Sequence, residues 1–344
     1  MTLDISTPQP ADATGADCDT GAAVAGETML ALAFSRFGGA EVVSLVERPI
    51  PLPGPGQALV RVLSAGFGPW DVLERDGALA AFADAPPVFP YVPGSEGAGT
   101  VVEVGTGVQR LREGDRVCGL LPLRSPKQGF HAQFVVVDAD RLWPVPPRLT
   151  LPQAAALPVD GGLAMHAVAV ALALGPGDTA LVFGASGGIG HMALQFARQR
   201  GARVLAVASG ADGVALAERL GADMAIDGRR HALAPALRIF APGGLDAALL
   251  TAHTPEAGTI VDALRPGGRI AWPHGVGAPP ARDDIAASAF GAGAGARQVH
   301  AACRAAAHGP FHLHIDARFP LADTAAAARA IGRHHLGRIV LDVP

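Results

Sequence analysis

A glycine-rich turn between an apolar strand and a helix constrains this chain more than any other feature. The apolar run Thr179–Phe183 leads directly into Gly184-Ala-Ser-Gly-Gly-Ile-Gly190. Glycines in such a turn let the backbone approach a diphosphate closely, and the free N–H groups at the start of the following helix attract the anion. The pattern therefore predicts a pyrophosphate-binding βα turn.

The residues after the turn complete a βαβ unit. Ile189, Met192 and Phe196 recur at helical spacing and form one apolar face, and Gln195 is predicted to point outward. A second apolar strand at Arg203–Ala208 closes a unit of about 30 residues, the length typical of dinucleotide binding. The combination favours a cofactor turn over a turn that binds nothing.

The same letters also fit the G-x-S-x-G nucleophile elbow of a serine hydrolase. Ser186 would be the nucleophile, and Asp246 with His253 or His274 would complete the order Ser, Asp, His. An elbow needs neither Gly190 nor the well-spaced second strand, and a hydrolase sheet does not usually follow a long β-rich region. The hydrolase is therefore kept as the alternative.

Composition and charge restrict the partners and the compartment. The chain has 344 residues, 49% of them hydrophobic, which is enough for two domains with their own cores. A net charge of −4 gives no broad basic surface, so no nucleic-acid partner is expected. The longest apolar run, 162–175, is shorter than the ~20 residues of a bilayer span, and residues 1–27 resemble a disordered tail more than a signal peptide. We expect a cytoplasmic protein that has no membrane partner.

Scarce residue types exclude further chemistries. Cys18, Cys118 and Cys303 are far apart in the sequence and lack C-x-x-C spacing, so neither a disulfide framework nor a thiolate zinc lobe is expected. Cys118 lies in an apolar strand and is expected to be buried and inert. The single lysine, Lys127, is not in a Walker motif, and the single tyrosine, Tyr91, has no lysine four residues later, so the short-chain dehydrogenase dyad is impossible.

Two kinds of strand pattern divide the chain. Short strands broken by proline and glycine across 28–150 predict a partly closed β-barrel. After the segment Leu151–Pro158 an apolar helix is predicted through Leu174, and strands at 246–250 and 269–272 extend the βαβ unit to a parallel sheet, so 151–278 is assigned to the dinucleotide-binding domain.

Residues 279–344 are expected to return to the barrel, through strands at 311–316 and 337–342. Three polar side chains share one face of the first of these strands, and this face is expected to be solvated rather than metal-binding. They are His312, His314 and Asp316.

The order of these parts and several motifs resemble the medium-chain dehydrogenase/reductase superfamily, specifically its zinc-free quinone oxidoreductase branch. Beside the glycine turn, the supporting segments are Gly66-Phe-Gly-Pro-Trp-Asp71, Pro93-Gly-Ser-Glu-Gly-Ala-Gly-Thr-Val101, Gly114-Asp-Arg-Val117, Leu157-Pro158, Leu220-Gly-Ala-Asp223 and Gly337-Arg-Ile-Val-Leu341. The resemblance implies an α/β chain with a GroES-like β-barrel substrate domain and a Rossmann domain built on a doubly wound parallel sheet. It also implies NADPH in the cleft between them, a small-molecule substrate and often a homodimer.

Zinc-containing members of the superfamily have a cysteine where this chain has Gly68 and a histidine where it has Ser95. Glu96 remains, but a catalytic zinc needs three protein ligands, so no metal is expected. The easier chemistry is then hydride delivery to a quinone, or to an alkene polarised by a conjugated carbonyl. The expected function is a zinc-independent NADPH-dependent oxidoreductase of these acceptors.

The preference for NADPH over NADH depends on the end of the second strand. NAD enzymes present a carboxylate there, whereas this chain has Ala208-Ser209-Gly210. Ser209 can donate to a 2′-phosphate and Arg229 can pair with it, while Asp212 is interpreted as a helix-start residue. The cofactor-binding residues expected are Gly184, Ala185, Ser186, Gly187, Gly188, Ile189, Gly190, Ser209, Gly210, Arg229, His274 and Gly275.

Few catalytic side chains are expected. Relatives commonly have an asparagine and a tyrosine where this chain has Gly68 and Leu73, and a threonine where it has Leu163. Trp70 is expected either to stack on a flat substrate or to pack in the barrel. Asp160 is expected either to relay a proton or to lie in a turn before a helix. Because polar groups are depleted here, an NADPH-binding sensor without turnover is a second alternative.

Overall fold

The computed structural model describes residues 26–80, 86–122, 128–291 and 295–344. The tail predicted for residues 1–27 therefore lies almost entirely outside the described residues. Within these ranges, no helix combines the length and the apolar character needed to span a bilayer.

The first domain is a partly closed barrel of short strands, as predicted. Its strands before the parallel sheet are β1 (Thr28–Phe34), β2 (Val43–Pro49), β3 (Gln57–Phe67), β4 (Glu96–Val104), β5 (Arg116–Leu120), β6 (Phe134–Asp138) and β7 (Leu142–Pro144). The long strand β3 is central, because it pairs antiparallel with both β4 and β6. Helix α1 (Pro69–Arg75) follows β3 and carries Trp70 to the edge of this domain.

The second domain is a parallel sheet of six strands. They are β8 (Thr179–Phe183), β9 (Arg203–Ala208), β10 (Met224–Asp227), β11 (Leu245–Leu250), β12 (Leu264–Pro273) and β13 (Ala286–Phe290). The spatial order is β10-β9-β8-β11-β12-β13, so the strand order reverses between β8 and β11. In open α/β sheets, ligands bind in the crevice at the carboxyl ends of the strands beside such a reversal.

Helices cover both faces of this sheet. They are α3 (Pro158–His166), α4 (Gly188–Gln199), α5 (Gly210–Arg219), α6 (Leu233–Phe240), α7 (Ala257–Asp262) and α8 (Ala296–His308), whereas the short helix α2 (Leu151–Ala155) packs on β3, β4 and β5 of the first domain. Strand β8 illustrates the result: Ala180 and Val182 pack into the core with α3 and α4, whereas Leu181 packs into the core with α6 and α7. A strand buried on both faces is apolar throughout, since successive side chains point to opposite faces.

The chain returns to the first domain later than predicted. Strand β13 is the edge strand of the parallel sheet and α8 packs on α3, so the second domain extends past residue 300 and the predicted boundary at 278 is wrong. The segment Ala286–Phe290 is mostly alanine and lacks the β-branched residues that mark a strand. The return is made by β14 (Ile315–Pro320), α9 (Thr324–Ile331) and β15 (Arg338–Asp342), and β15 pairs with β3.

Two predicted elements differ locally. The helix predicted after Leu151–Pro158 is α3, which ends at His166 instead of Leu174 and is followed by a π-helical segment Ala167–Ala171, while the segment before it forms the short helix α2. Pro158 stands at the first position of α3, where a backbone N–H would have no acceptor within the helix.

The strand predicted at 311–316 begins only at Ile315. The preceding residues lie along α4 instead, where the His312 N–H donates to Gln195 Oε1 (2.7 Å) and Gln195 Nε2 donates to the His312 carbonyl (2.9 Å). Gln195, predicted to point outward, is therefore buried.

The domains also meet through two thiols. Cys118 on β5 and Cys303 on α8 are both buried, and their Sγ atoms lie 3.9 Å apart although 185 residues separate them. Burial of Cys118 is confirmed, whereas its proximity to a second cysteine was not predicted.

Candidate functional site

A cavity of about 980 Å³ lies between the two domains, at the carboxyl ends of the parallel strands. Most of the predicted site residues line it. The exceptions are Ala185, which packs into the core, Gly190, which is the last glycine of the turn, and Gly210, which is the first residue of α5.

The glycine turn is tightly packed on one side and open on the other. Gly184 has a φ of 83°, and a Cβ added to Gly190 would collide with the Gly184 carbonyl. Thr251 Oγ1 braces the turn by donating to the Phe183 carbonyl at 2.8 Å. On the cavity side, the heavy atom nearest to a Cβ added at Gly187 is the Gly184 oxygen at 3.5 Å. The backbone thus forms a cradle that a diphosphate can approach.

The buried imidazole of His191 supports this turn. Its Nδ1 lies 2.8 Å from the Gly187 carbonyl, and its Nε2 lies 3.4 Å from the backbone N of His314. Since a carbonyl only accepts and an N–H only donates, the imidazole must be neutral with its proton on Nδ1. Burial lowers the pKa of His191 to about 4, which favours the same neutral form.

Arg338 is a buried cation between two carboxylates at the wall of the cavity. Its Nη1 donates to Asp160 Oδ2 at 2.6 Å and its Nη2 pairs with Glu96 Oε1, while Glu96 Oε2 accepts the Val159 N–H at 2.7 Å. Desolvation would lower the pKa of Arg338, but Asp160 and Glu96 outweigh it and raise the pKa. Burial raises the pKa of Glu96 to about 8; Arg338 opposes this rise and the nearby Asp160 carboxylate adds to it.

Sequence reasoning missed Arg338 as a site residue. The available signal was an arginine inside the apolar strand Arg338–Asp342. A charge in such a strand is costly unless it is paired, and its partners come from β4 and α3, far away in the sequence.

The remaining wall near Arg338 is apolar. The Arg338 Cζ lies 4.8 Å from the centre of the Trp70 ring, and a Cβ added to Gly68 would lie 2.5 Å from the indole. Trp70 thus fills the space beside Gly68 and lines the cavity, together with Leu73 and Leu163. The indole is held by packing and by the cation above it.

Two aspartates take different roles around this wall. Asp71 Oδ2 accepts the Gly68 N–H at 2.8 Å and caps α1. Asp160 lies in the first turn of α3, so the interpretation of a turn before the helix is wrong. A proton-relay role for Asp160 stays a prediction.

One end of the cavity lies beside the end of β9. The buried Ser209 hydroxyl has no hydrogen-bond partner within the part of the chain that the structure describes. Asp227 Oδ1 accepts the N–H groups of Gly210 (3.1 Å) and Arg229 (3.0 Å), and Arg229 is exposed with its side chain lining the cavity. An unpartnered hydroxyl and an exposed arginine that line the same cavity fit an anionic ligand group.

The hydrolase arrangement is not formed. Asp246 bonds to Thr179 and pairs with Arg265 at the amino end of β11. Ser186 and His274 lie at the carboxyl ends of the strands, roughly 13 Å from Asp246 along β11 at about 3.3 Å per residue. In the described ranges, no cluster of three or more His, Cys, Asp or Glu residues could hold a metal ion.

Comparisons with known proteins agree with this architecture. Two family models match the chain: an alcohol dehydrogenase GroES-like domain over residues 54–147 and a zinc-binding dehydrogenase over residues 188–300. An alcohol dehydrogenase of Rhizobium meliloti (strain 1021) is 35% identical over 279 residues, which span 74% of this chain and 78% of that protein. The chain belongs to the medium-chain dehydrogenase/reductase superfamily.

Within this superfamily the chain is quinone oxidoreductase-like. A chloroplast envelope quinone oxidoreductase homolog of Arabidopsis thaliana is 31% identical, over 74% of this chain and 80% of that protein. The solved structure of an NAD-dependent alcohol dehydrogenase superposes with a TM-score of 0.81 at 27% identity, covering 92% of this chain and 100% of that one. A mycobacterial protein complexed with NADPH superposes with a TM-score of 0.75 at 26% identity, covering 91% of this chain and 99% of that one. The chain is thus an oxidoreductase of a superfamily that binds a nicotinamide cofactor, with the predicted GroES-like and Rossmann domains.

Proposed function

We propose that this chain is a zinc-independent, NADPH-dependent reductase of quinones or of alkenes conjugated to a carbonyl. The single observation that carries the proposal is the cavity between the domains, with a glycine cradle along one side and an apolar wall at Trp70, Leu73 and Leu163 along the other. Such a cavity can hold a dinucleotide diphosphate against backbone N–H groups and a flat apolar acceptor beside it.

The residues at the positions of the zinc ligands support a metal-free reaction. Gly68 has no side chain, and the Glu96 carboxylate is committed to Arg338 and to the Val159 N–H. Because Arg338 neutralises the negative charge of Glu96, this carboxylate is not available as a metal ligand.

The cofactor, when bound, would supply the hydride. The backbone of the glycine turn would hold its diphosphate, and Ser209 with Arg229 would bind the 2′-phosphate. Asp160, fixed by Arg338 at the cavity wall, would relay a proton taken up from solvent to the acceptor that has received the hydride, and Trp70 would stack on the acceptor ring. His274 and Gly275, at the end of β12, would approach the nicotinamide ribose. The homodimer and the cytoplasmic location stay predictions.

The test is anaerobic NADPH consumption with a panel of quinones, enones and enoyl thioesters, beside a direct NADPH titration. Oxidation with at least one acceptor supports the reductase. NADPH binding without turnover of any acceptor supports the sensor instead. Labelling of Ser186 by a fluorophosphonate probe would favour the hydrolase.

A further inference from the structure

A carboxylate and an imidazole meet across the cleft at the end of β9. Asp212 lies in the first turn of α5, in the second domain, whereas His334 follows α9, in the first domain. His334 Nε2 lies 3.0 Å from Asp212 Oδ2 and 3.2 Å from Oδ1. The hydrogen bond from His334 holds the pKa of Asp212 below its usual value, so the carboxylate is ionised and engaged.

This pair lies where nucleotides are discriminated in the Rossmann fold. A Cβ added to Gly210 would lie 2.6 Å from Asp212 Oδ1 and 3.6 Å from His334 Nε2. The residues just after the second strand of the fold are those that meet the adenosine ribose, and an acid there selects the 2′-hydroxyl of NAD. His334 lines the same cavity as Ser209.

The second acid at this end of the cavity is already committed. Asp227 Oδ1 accepts the N–H groups of Gly210 and Arg229, which lowers the pKa of Asp227 and ties its charge to the backbone. Among the described residues, Asp212 is the acid at this end that could turn an oxygen toward a ribose once His334 is removed, since its side chain is 56% exposed. Its Oδ1 also accepts the Gly213 N–H at 2.9 Å, so Oδ2, the oxygen nearer to His334, is the one that would be released.

We infer that His334 determines nucleotide preference by occupying the Asp212 carboxylate. Without His334, Asp212 would accept a hydrogen bond from the 2′-hydroxyl of NADH and would repel the 2′-phosphate of NADPH. With His334 in place the carboxylate is held at the imidazole instead of at the ribose, and the phosphate meets Ser209 and Arg229. The inference rests on the proposed NADPH function. It adds His334, a residue of the first domain, as the determinant of nucleotide specificity.

The test is a double-mutant cycle with His334→Ala, Asp212→Asn and the two combined, titrated with NADPH and with NADH by nucleotide fluorescence. We expect His334→Ala to weaken NADPH binding roughly tenfold, the effect of one like charge a few ångströms away in water-like surroundings. NADH binding should be unchanged or tighter. In the Asp212→Asn background, loss of His334 should cost NADPH less than twofold. Thermal unfolding would check that each variant is folded, and His308→Ala, an exposed histidine on α8, is the matched control.

Two outcomes overturn the inference. An equal loss of NADPH binding in both backgrounds would mean that His334 contacts the phosphate itself. Equal effects on NADPH and NADH would mean that the pair only holds the domains together. If the unmodified chain bound neither nucleotide, the proposed function would fail and the inference with it, whereas either of the first two results refutes the inference alone.

Discussion

Protonation of His191 should destabilise the fold in mild acid. Its pKa of about 4, against an ordinary value of 6.5, means that the unfolded chain binds the proton more tightly than the folded chain does. Stability should therefore be complete above pH 6.5 and fall as the pH drops toward 4. The pKa difference is worth about 3 kcal/mol at about 1.4 kcal/mol for each factor of ten, and about 2 kcal/mol of this should be lost by pH 5.

The perturbation is His191→Asn, which keeps a donor for the Gly187 carbonyl but cannot be protonated. The assay is urea unfolding followed by tryptophan fluorescence from pH 7.5 to pH 5, and the quantity compared is the difference in unfolding free energy between the two proteins. Between pH 7.5 and pH 5 the unmodified chain should lose about 2 kcal/mol of unfolding free energy more than the variant does. The other titrating groups are the same in both proteins, so their contributions cancel in the difference. The control is His308→Asn, because His308 makes the same Nδ1 contact with the carbonyl four residues before it but is exposed. Parallel stability curves for His191→Asn and the unmodified chain would refute the reasoning.

Three further predictions concern the site. Gly190→Ala should weaken NADPH binding at least about tenfold, because its Cβ would collide with the Gly184 carbonyl. Gly258→Ala on α7, where an added Cβ meets open space, should bind NADPH normally, and equal affinities of the two variants in a fluorescence titration would contradict the prediction. Asp160→Asn should lower the free energy of unfolding by about 3 kcal/mol, because it removes one carboxylate of a buried ion pair, and an unchanged Tm would argue against the pair. The same variant should lower kcat and change KM less. Ser186→Ala should retain NADPH oxidation, measured by absorbance at the NADPH band, within about threefold, since Asp246, the aspartate that the hydrolase would need, is bound to Thr179 and Arg265 instead. Fluorophosphonate labelling of the unmodified chain that Ser186→Ala abolishes would revive the hydrolase.

The sequence was most informative where its local pattern is also the physical cause of the structure. The strand Thr179–Phe183, the glycine turn and helix α4 were predicted because a buried strand must be apolar and a tight turn over a diphosphate must be glycine. The barrel strands followed from alternation and from proline and glycine breaks. The Ala-rich strand β13 escaped detection because its pairing with β12, not its side chains, makes it a strand.

What the sequence alone determined about this protein is its superfamily, its two domain types and the cradle for a diphosphate, because each depends on neighbouring residues. Tertiary structure alone decided that Arg338 lies between Glu96 and Asp160, that Gln195 is buried, and that His334 meets Asp212. These contacts join elements that are 100 residues or more apart in the chain, so no local periodicity or spacing encodes them. Folding brings such charges together, and the cost of burying or exposing each one then depends on a partner that the linear pattern does not reveal.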